Sequence, residues 1–166
     1  MDMSAKKFRS DLNQGNIGEK IIATWLEKYK GMKFIKFNND NLYDILMEKP
    51  DGSTLTIECK TDRWEFFNYK TGNIFIETRC NGKSSGIWSS IADIYAFYFP
   101  DFGELYFIST KELKVLLKEK QNLFNRKTLS GDGGKVSGFT INRYDNKDLF
   151  KFYEINKLKI WEKNEF

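Results

Sequence analysis

The sequence contains no histidine, and this absence excludes several classes of function. Without an imidazole there is no histidine general base, no histidine metal ligand and no Ser-His-Asp triad. The chain has 2 cysteines, Cys59 and Cys80, so cysteine and histidine cannot together supply the ligands of a four-coordinate zinc site. Any metal ion must therefore be bound by oxygen ligands, which favours magnesium, manganese or calcium.

Prolines, cysteines and long apolar runs are also scarce. The 2 prolines argue against proline-rich linkers, and 2 cysteines do not make a disulfide framework. No apolar run is long enough to span a membrane, and the polar, basic first residues lack the apolar core of a signal peptide. We therefore expect an intracellular protein of the reducing cytoplasm, with no membrane segment.

The residues that are present suit one folded domain. The chain has 166 residues, of which 40% are hydrophobic and 16% aromatic. This length predicts a single domain over 1–166, with a core of about 16–120 and a C-terminal extension of 121–166. The net charge of +4 is compatible with a nucleic-acid partner.

Hydrophobic periodicity and turn residues predict a mixed α/β fold. A helix is predicted over 17–30, with Asn16 as its N-cap, Glu19 in a capping box and Gly31 as its stop. Strands are predicted at 33–37, 42–48, 54–60, 73–79, 94–99, 104–109, 136–141 and 151–160, helices at 87–93 and 110–120, and a mobile loop at 122–134. We therefore expect a mixed central β-sheet flanked by helices.

The segment 42–60 carries the pattern that bears on function. Pro50, Asp51 and Gly52 suit a three-residue turn with a glycine bulge, which fixes the register of the two strands around it. In that register the apolar residues share one face, namely Tyr43, Ile45, Met47, Leu55, Ile57 and Cys59. The other face carries Asp44 opposite Glu58.

Two carboxylates that face each other across a hairpin repel, so a partner must offset the repulsion. Lys60, two residues beyond Glu58, is one candidate, and a divalent cation that bridges Asp44 and Glu58 is a better one. A metal ion beside a lysine also suits phosphodiester hydrolysis, because both can stabilise charge that develops on phosphate. A Glu-x-Lys triplet on its own is more often a solvated strand face.

Asp44, followed about a dozen residues later by Glu58-Cys59-Lys60, resembles the signature of the PD-(D/E)XK nuclease superfamily. The helix with Glu19 and the order of elements are similar to its restriction-endonuclease-like αβββαβ core, over about residues 16–99. One departure is that Tyr43 stands where the family name has proline.

The resemblance implies a magnesium-dependent endonuclease that hydrolyses phosphodiester bonds in DNA, with manganese as a substitute. It implies that Asp44, Glu58 and the main-chain carbonyl of Cys59 are metal ligands. Lys60 would act on the attacking water, and Glu19 would be an auxiliary ligand unless it serves only as a capping residue. Structure-selective enzymes such as Holliday junction resolvases belong to this superfamily, and two opposed cuts would favour a homodimer.

Further residues are candidates for contacts with DNA. Lys83, Ser84 and Ser85 could contact phosphates from a flexible loop, and Trp88 could stack on a base. The alternatives are an ordinary surface loop and a core tryptophan. Glu77 could approach the metal from a neighbouring strand or be a surface charge.

For the whole chain, two other hypotheses stay open beside the nuclease. One is a non-catalytic nucleic-acid-binding module on the same fold. The other is a structural or interaction domain with a charged surface cluster.

Overall fold

The computed structural model describes residues 3–38, 42–62, 71–131 and 134–155, which form two β-sheets and two α-helices. The helices are α1 (Met3–Lys30) and α2 (Thr110–Glu119). The strands are β1 (Lys33–Phe37), β2 (Ile45–Glu48), β3 (Thr54–Thr61), β4 (Asn73–Cys80), β5 (Lys83–Ser84), β6 (Ile94–Phe99), β7 (Glu104–Ser109), β8 (Asn125–Gly131), β9 (Gly134–Asn142) and β10 (Lys151–Glu154).

The central sheet has the strand order β1-β2-β3-β6-β7-β10. It is mixed, because β3 pairs parallel with β6 whereas the other neighbours are antiparallel. A second, antiparallel sheet has the order β5-β4-β9-β8. Residues after 120 therefore supply strands to both sheets.

The two faces of the central sheet bury two separate cores. On one face α1 packs against β2, β3, β6 and β7, with Ile22 fully buried and Trp25 in ring contact with Phe107. On the other face the alternate side chains of β6 and β7 pack against α2 and the second sheet. The predicted fold class, a mixed sheet flanked by helices, is confirmed.

The helix α1 begins at Met3, so the predicted N-cap at Asn16 and the capping box of Glu19 are wrong. The residues before Asn16 contain no proline, and Gly15 alone does not interrupt the helix. The predicted stop is confirmed, because Gly31 has a φ of +62°. No helix among the described residues is long and apolar enough to cross a membrane.

Two predictions between the strands are also wrong. In place of a helix over 87–93 there is a 3₁₀ turn, Gly86–Trp88, after which Asp93 is tied to β3 by a 2.8 Å hydrogen bond from the Thr56 N–H. The expected mobile loop at 122–134 contains β8, which pairs with β9 along its length. A polar strand at a sheet edge lacks the apolar alternation that would mark it in the sequence.

The remaining boundaries shift by smaller amounts. Ser109 caps α2, because its hydroxyl accepts from the Glu112 N–H. The last strand ends at Glu154, and residues 156–166 lie outside the described residues.

Candidate active site

The hairpin β2–β3 has the predicted register. Ile45 pairs with Ile57 and Met47 with Leu55, and Gly52 has a φ of +82°. Five residues of the predicted apolar face are buried in the α1 core, namely Ile45, Met47, Leu55, Ile57 and Cys59, whereas Tyr43 is only partly buried. The opposite face is therefore left for polar groups, and Glu58 and Lys60 lie on it.

The carboxylate of Asp44 is held at the end of the hairpin rather than directly opposite Glu58. The ladder ends at Ile45, the Asp44 N–H donates to the Ile57 carbonyl at 2.8 Å, and Asp44 Oδ2 accepts from the Cys59 N–H at 2.6 Å. A backbone donor at this distance orients the carboxylate along β3. The Asp44 side chain is thus positioned by main chain as well as by sequence register.

Glu58 and Lys60 form an ion pair on β3. The Lys60 Nζ lies 2.6 Å from Glu58 Oε1, and the side chains are 48% and 13% exposed respectively. Burial raises the pKa of Glu58, Lys60 opposes this rise, and the charge of Asp44 adds to it. Desolvation lowers the pKa of Lys60. The charge of Glu58 and the hydrogen bond from Lys60 to Glu58 outweigh this effect and raise the pKa above its ordinary value, so the ammonium stays charged.

Glu19 reaches the same cluster from α1. Burial, followed by the charge of Asp44, raises the pKa of Glu19 to about 7, while Lys60 opposes the rise. The neighbouring Gly18 brings the helix close to β3, because a Cβ at this position would collide with the Thr61 side chain. The fold therefore brings Glu19 into electrostatic range of Asp44, Glu58 and Lys60.

Cys59 lies between these residues in sequence but on the opposite face. Its side chain is buried in the α1 core, and burial, followed by the charge of Asp44, raises the pKa of the thiol well above its usual value. A thiol that resists ionisation is a poor nucleophile and a poor metal ligand. The backbone of Cys59, rather than its sulfur, belongs to the site.

Two further residues adjoin the cluster. The charge of Glu77 on β4 contributes to the raised pKa of Glu58, and Glu77 Oε1 accepts a short hydrogen bond from the Ser85 hydroxyl. Tyr95 pairs with Glu58 across β3 and β6, and burial, followed by the Glu58 charge, raises the pKa of its phenol to about 12. Tyr95 has no sequence signal of its own, because it stands in a strand of mostly aromatic residues.

The donor set suits a hard cation. Among the described residues no group of three or more acidic or cysteine side chains is arranged to hold a metal ion. Magnesium, however, is often bound by one or two carboxylates, with waters and substrate phosphate as the other ligands. Asp44 and Glu58 provide two carboxylates: Asp44 binds the Cys59 N–H through Oδ2 and Glu58 binds Lys60 through Oε1, and neither bond uses Asp44 Oδ1 or Glu58 Oε2.

The flexible loop predicted for Lys83, Ser84 and Ser85 is wrong, because β4 and β5 form a tight hairpin there. Asn81 and Gly82 have φ values of +50° and +78°, as a two-residue type I′ turn requires. Lys83 and Ser84 form the exposed strand β5. Ser85 donates its hydrogen bond to Glu77.

Trp88 is half-buried at the end of the 3₁₀ turn and packs against the second core. The Lys118 Nζ of α2 lies 5.9 Å from the centre of its ring. The structure thus places Trp88 partly in the core and partly at the surface.

No family model and no curated protein matches the chain. Among solved structures the chain is similar to a bacterial homing endonuclease, I-Ssp6803I. The TM-score is 0.47 and the sequence identity 19%, over 61% of this chain and 70% of that chain.

Proposed function

We propose that this protein is a metal-dependent nuclease that hydrolyses phosphodiester bonds in DNA. The observation that carries the proposal is the convergence of Asp44, Glu58, Lys60 and Glu19. Asp44 directly precedes β2, Glu58 and Lys60 lie on β3, and Glu19 lies on α1. Glu19 and Glu58 both have raised pKa values, first because they are buried and then because like charges surround them. Because burial and like charges disfavour the ionised carboxylates, a bound cation that offsets these charges would stabilise them.

In this proposal magnesium is held by Asp44, Glu58 and the main-chain carbonyl of Cys59, with Glu19 as an auxiliary ligand. A bound Mg²⁺ or Mn²⁺ neutralises charge on the phosphate and lowers the pKa of a bound water. Glu19, with a pKa of about 7 in the metal-free protein, would be kept ionised by the cation.

Lys60 supplies the fixed positive charge of the centre. Its Nζ is anchored by Glu58 at 2.6 Å, and its raised pKa keeps it an ammonium at neutral pH. Because the side chain is about half exposed, the ammonium can face a phosphate that approaches from solvent. In that position it orients the attacking water and stabilises the charge that develops on the phosphate oxygens.

The assay uses linear duplex, single-stranded and four-way-junction DNA, each with magnesium, with calcium and with chelator. We expect cleavage with magnesium and loss of cleavage in Glu58→Gln. The matched control is Glu48→Gln, which removes an acid from the same hairpin at the pair with Thr54 and leaves cleavage unchanged.

The four-way junction in this assay tests whether the protein prefers branched DNA, as a Holliday junction resolvase does. An endonuclease that makes two opposed cuts would be expected to act as a two-fold dimer. Tight DNA binding without any magnesium-dependent cleavage would refute the nuclease and support a non-catalytic binding module on the same fold.

A further inference from the structure

A cationic groove crosses the second sheet. It has a volume of about 440 Å³ and is lined by Arg79 of β4, Trp88 of the 3₁₀ turn, and Arg126 and Lys127 of β8. None of the described residues that line the groove is acidic. The groove is therefore suited to a polyanion.

An irregularity in β4 places two successive residues at the wall of this groove. The pairing of β4 with β9 shifts register between Glu77 and Arg79, so that Thr78 is an extra residue. Thr78 and Arg79 both line the groove, whereas consecutive residues of a regular strand point to opposite faces. Trp88 packs against the core that contains Tyr95, the residue that pairs with Glu58, so the groove and the acidic cluster border the same core.

The groove combines three kinds of group that a nucleotide can use. The ring of Trp88 offers an aromatic surface, and the side chains of Arg79, Arg126 and Lys127 offer positive charge. Hydroxyl groups lie among them, including Thr128. Bases stack on aromatic rings, and phosphates bind cationic and hydroxyl side chains.

We propose that this groove holds an unpaired nucleotide of the DNA strand that the acidic cluster cleaves. The base would stack on Trp88, and the adjoining phosphates would be bound by Arg79, Arg126 and Lys127. Since the faces of bases in a duplex are covered by their neighbours, stacking on Trp88 requires an unpaired base. This inference rests on the proposed nuclease function and narrows its substrate to DNA with single-stranded segments.

Fluorescence anisotropy with a labelled single strand and a duplex of the same sequence, in calcium, tests the groove. The single strand should bind more tightly than the duplex. The double variant Arg126→Ala with Lys127→Ala should weaken single-strand binding and lower the salt slope by about 1.4, at about 0.7 for each lost phosphate contact. The matched control is Lys33→Ala with Lys36→Ala, which removes two exposed charges from β1 and should leave the slope unchanged.

Trp88 is tested with two substitutions because it also packs against the core. Trp88→Leu should weaken single-strand binding by about 5- to 100-fold through loss of stacking, whereas Trp88→Phe should keep most of the affinity. Circular dichroism establishes that both variants fold.

If single-strand affinity were unchanged in the double variant and in Trp88→Leu, the groove would not be the site of the unpaired nucleotide, even if the protein cut DNA normally. If binding depended on the groove but the protein never cut DNA with magnesium, the proposed nuclease would be refuted, and the groove would still be a binding site for an unpaired nucleotide.

Discussion

At the scale of single residues, Lys60 is the side chain whose role is easiest to separate from metal binding. It contributes charge through its ion pair with Glu58 and is not one of the proposed ligands. Lys60→Ala should therefore reduce single-turnover cleavage by about 100-fold or more while DNA binding in calcium is retained. Lys60→Arg should not restore the rate, because a planar guanidinium does not replace a compact ammonium. Lys33→Ala is the control. Cleavage at the wild-type rate by Lys60→Ala would show that Glu58-Cys59-Lys60 is only a solvated strand face.

Asp44 tests the metal at the same scale. A ligand that binds only the folded state raises the melting temperature by mass action, so millimolar Mn²⁺ or Mg²⁺ should stabilise the protein. Asp44→Asn should remove most of this increase, because an amide can still accept from the Cys59 N–H but is a weak ligand. Asp51→Asn at the turn of the same hairpin is the control. A melting temperature that does not change during a manganese titration of the wild type would contradict the site.

Glu19 gives the protein a pH dependence in the absence of metal. Burial, followed by the charge of Asp44, raises its pKa from 4.5 to about 7, so between these values the folded state holds a proton that the unfolded state releases. The free energy of unfolding should therefore fall as the pH rises through this window. With allowance for screening by water at this half-exposed group, the free energy of unfolding should be about 1 kcal/mol lower above pH 7 than below pH 4.5.

Urea unfolding in chelator at pH 5 and pH 8 measures this effect. Glu19→Gln cannot ionise, so it should unfold with nearly the wild-type free energy at pH 5 and be more stable than the wild type at pH 8. Glu48→Gln serves as the control. Equal pH dependence in the wild type and Glu19→Gln would show that Glu19 is not destabilised by the cluster.

At the scale of elements, the contact of α1 with β3 positions Glu19. A Cβ at Gly18 would overlap Thr61 Oγ1 and lie 3.1 Å from Thr61 Cβ, and Thr61 Oγ1 is buried without a hydrogen-bond partner among the described residues. Gly18→Ala should destabilise the protein by about 1–3 kcal/mol through overpacking, less about 1 kcal/mol of gained helix propensity.

The double variant separates the two effects of Gly18→Ala. In a Thr61→Ala background the overlap with the hydroxyl and the methyl group is removed, so the same Gly18→Ala change should become neutral or stabilising by up to about 1 kcal/mol. Chemical denaturation of the four proteins of this cycle measures it. An equal loss of stability in both backgrounds would show that Thr61 is not the obstacle.

Elements with strong local signals could be predicted from the sequence, whereas those fixed by distant contacts could not. The hairpin register was predictable because Pro50-Asp51-Gly52 defines the turn and a one-residue slip would bury charge. The course of residues 89–93 and the strand β8 were not, because Asp93 is held by hydrogen bonds to Thr56 of β3 and β8 is formed by pairing with β9.

The candidate site divides in the same way. Asp44, Glu58 and Lys60 follow from the register of one hairpin. The groove could not be predicted, because its lining comes from β4, β8 and a turn that are remote from one another in the chain.

At the scale of the whole molecule, Arg143 links the two sheets. It follows β9 of the second sheet, is fully buried, and donates from Nε to Glu104 Oε2 of β7 at 2.9 Å. Its guanidinium lies 4.1 Å from the ring centre of Phe99 at the end of β6. Since β4 belongs to the second sheet, this link helps to fix Glu77 and the groove relative to Glu58.

Arg143→Met should destabilise the protein by about 3 kcal/mol, because it leaves the largely buried Glu104 carboxylate without its cationic partner and with only tyrosine hydroxyls as donors. Glu104→Gln in the same chain should recover part of this loss, because a neutral amide is less costly to bury than an unpaired charge. Lys147→Met, which removes an exposed charge nearby, is the control and should change stability by less than about 0.5 kcal/mol. Urea unfolding measures all four proteins, and cleavage assayed well below the melting temperature measures the effect on the site. A loss of less than 1 kcal/mol in Arg143→Met, with normal cleavage, would show that the sheets hold their relative position without this ion pair.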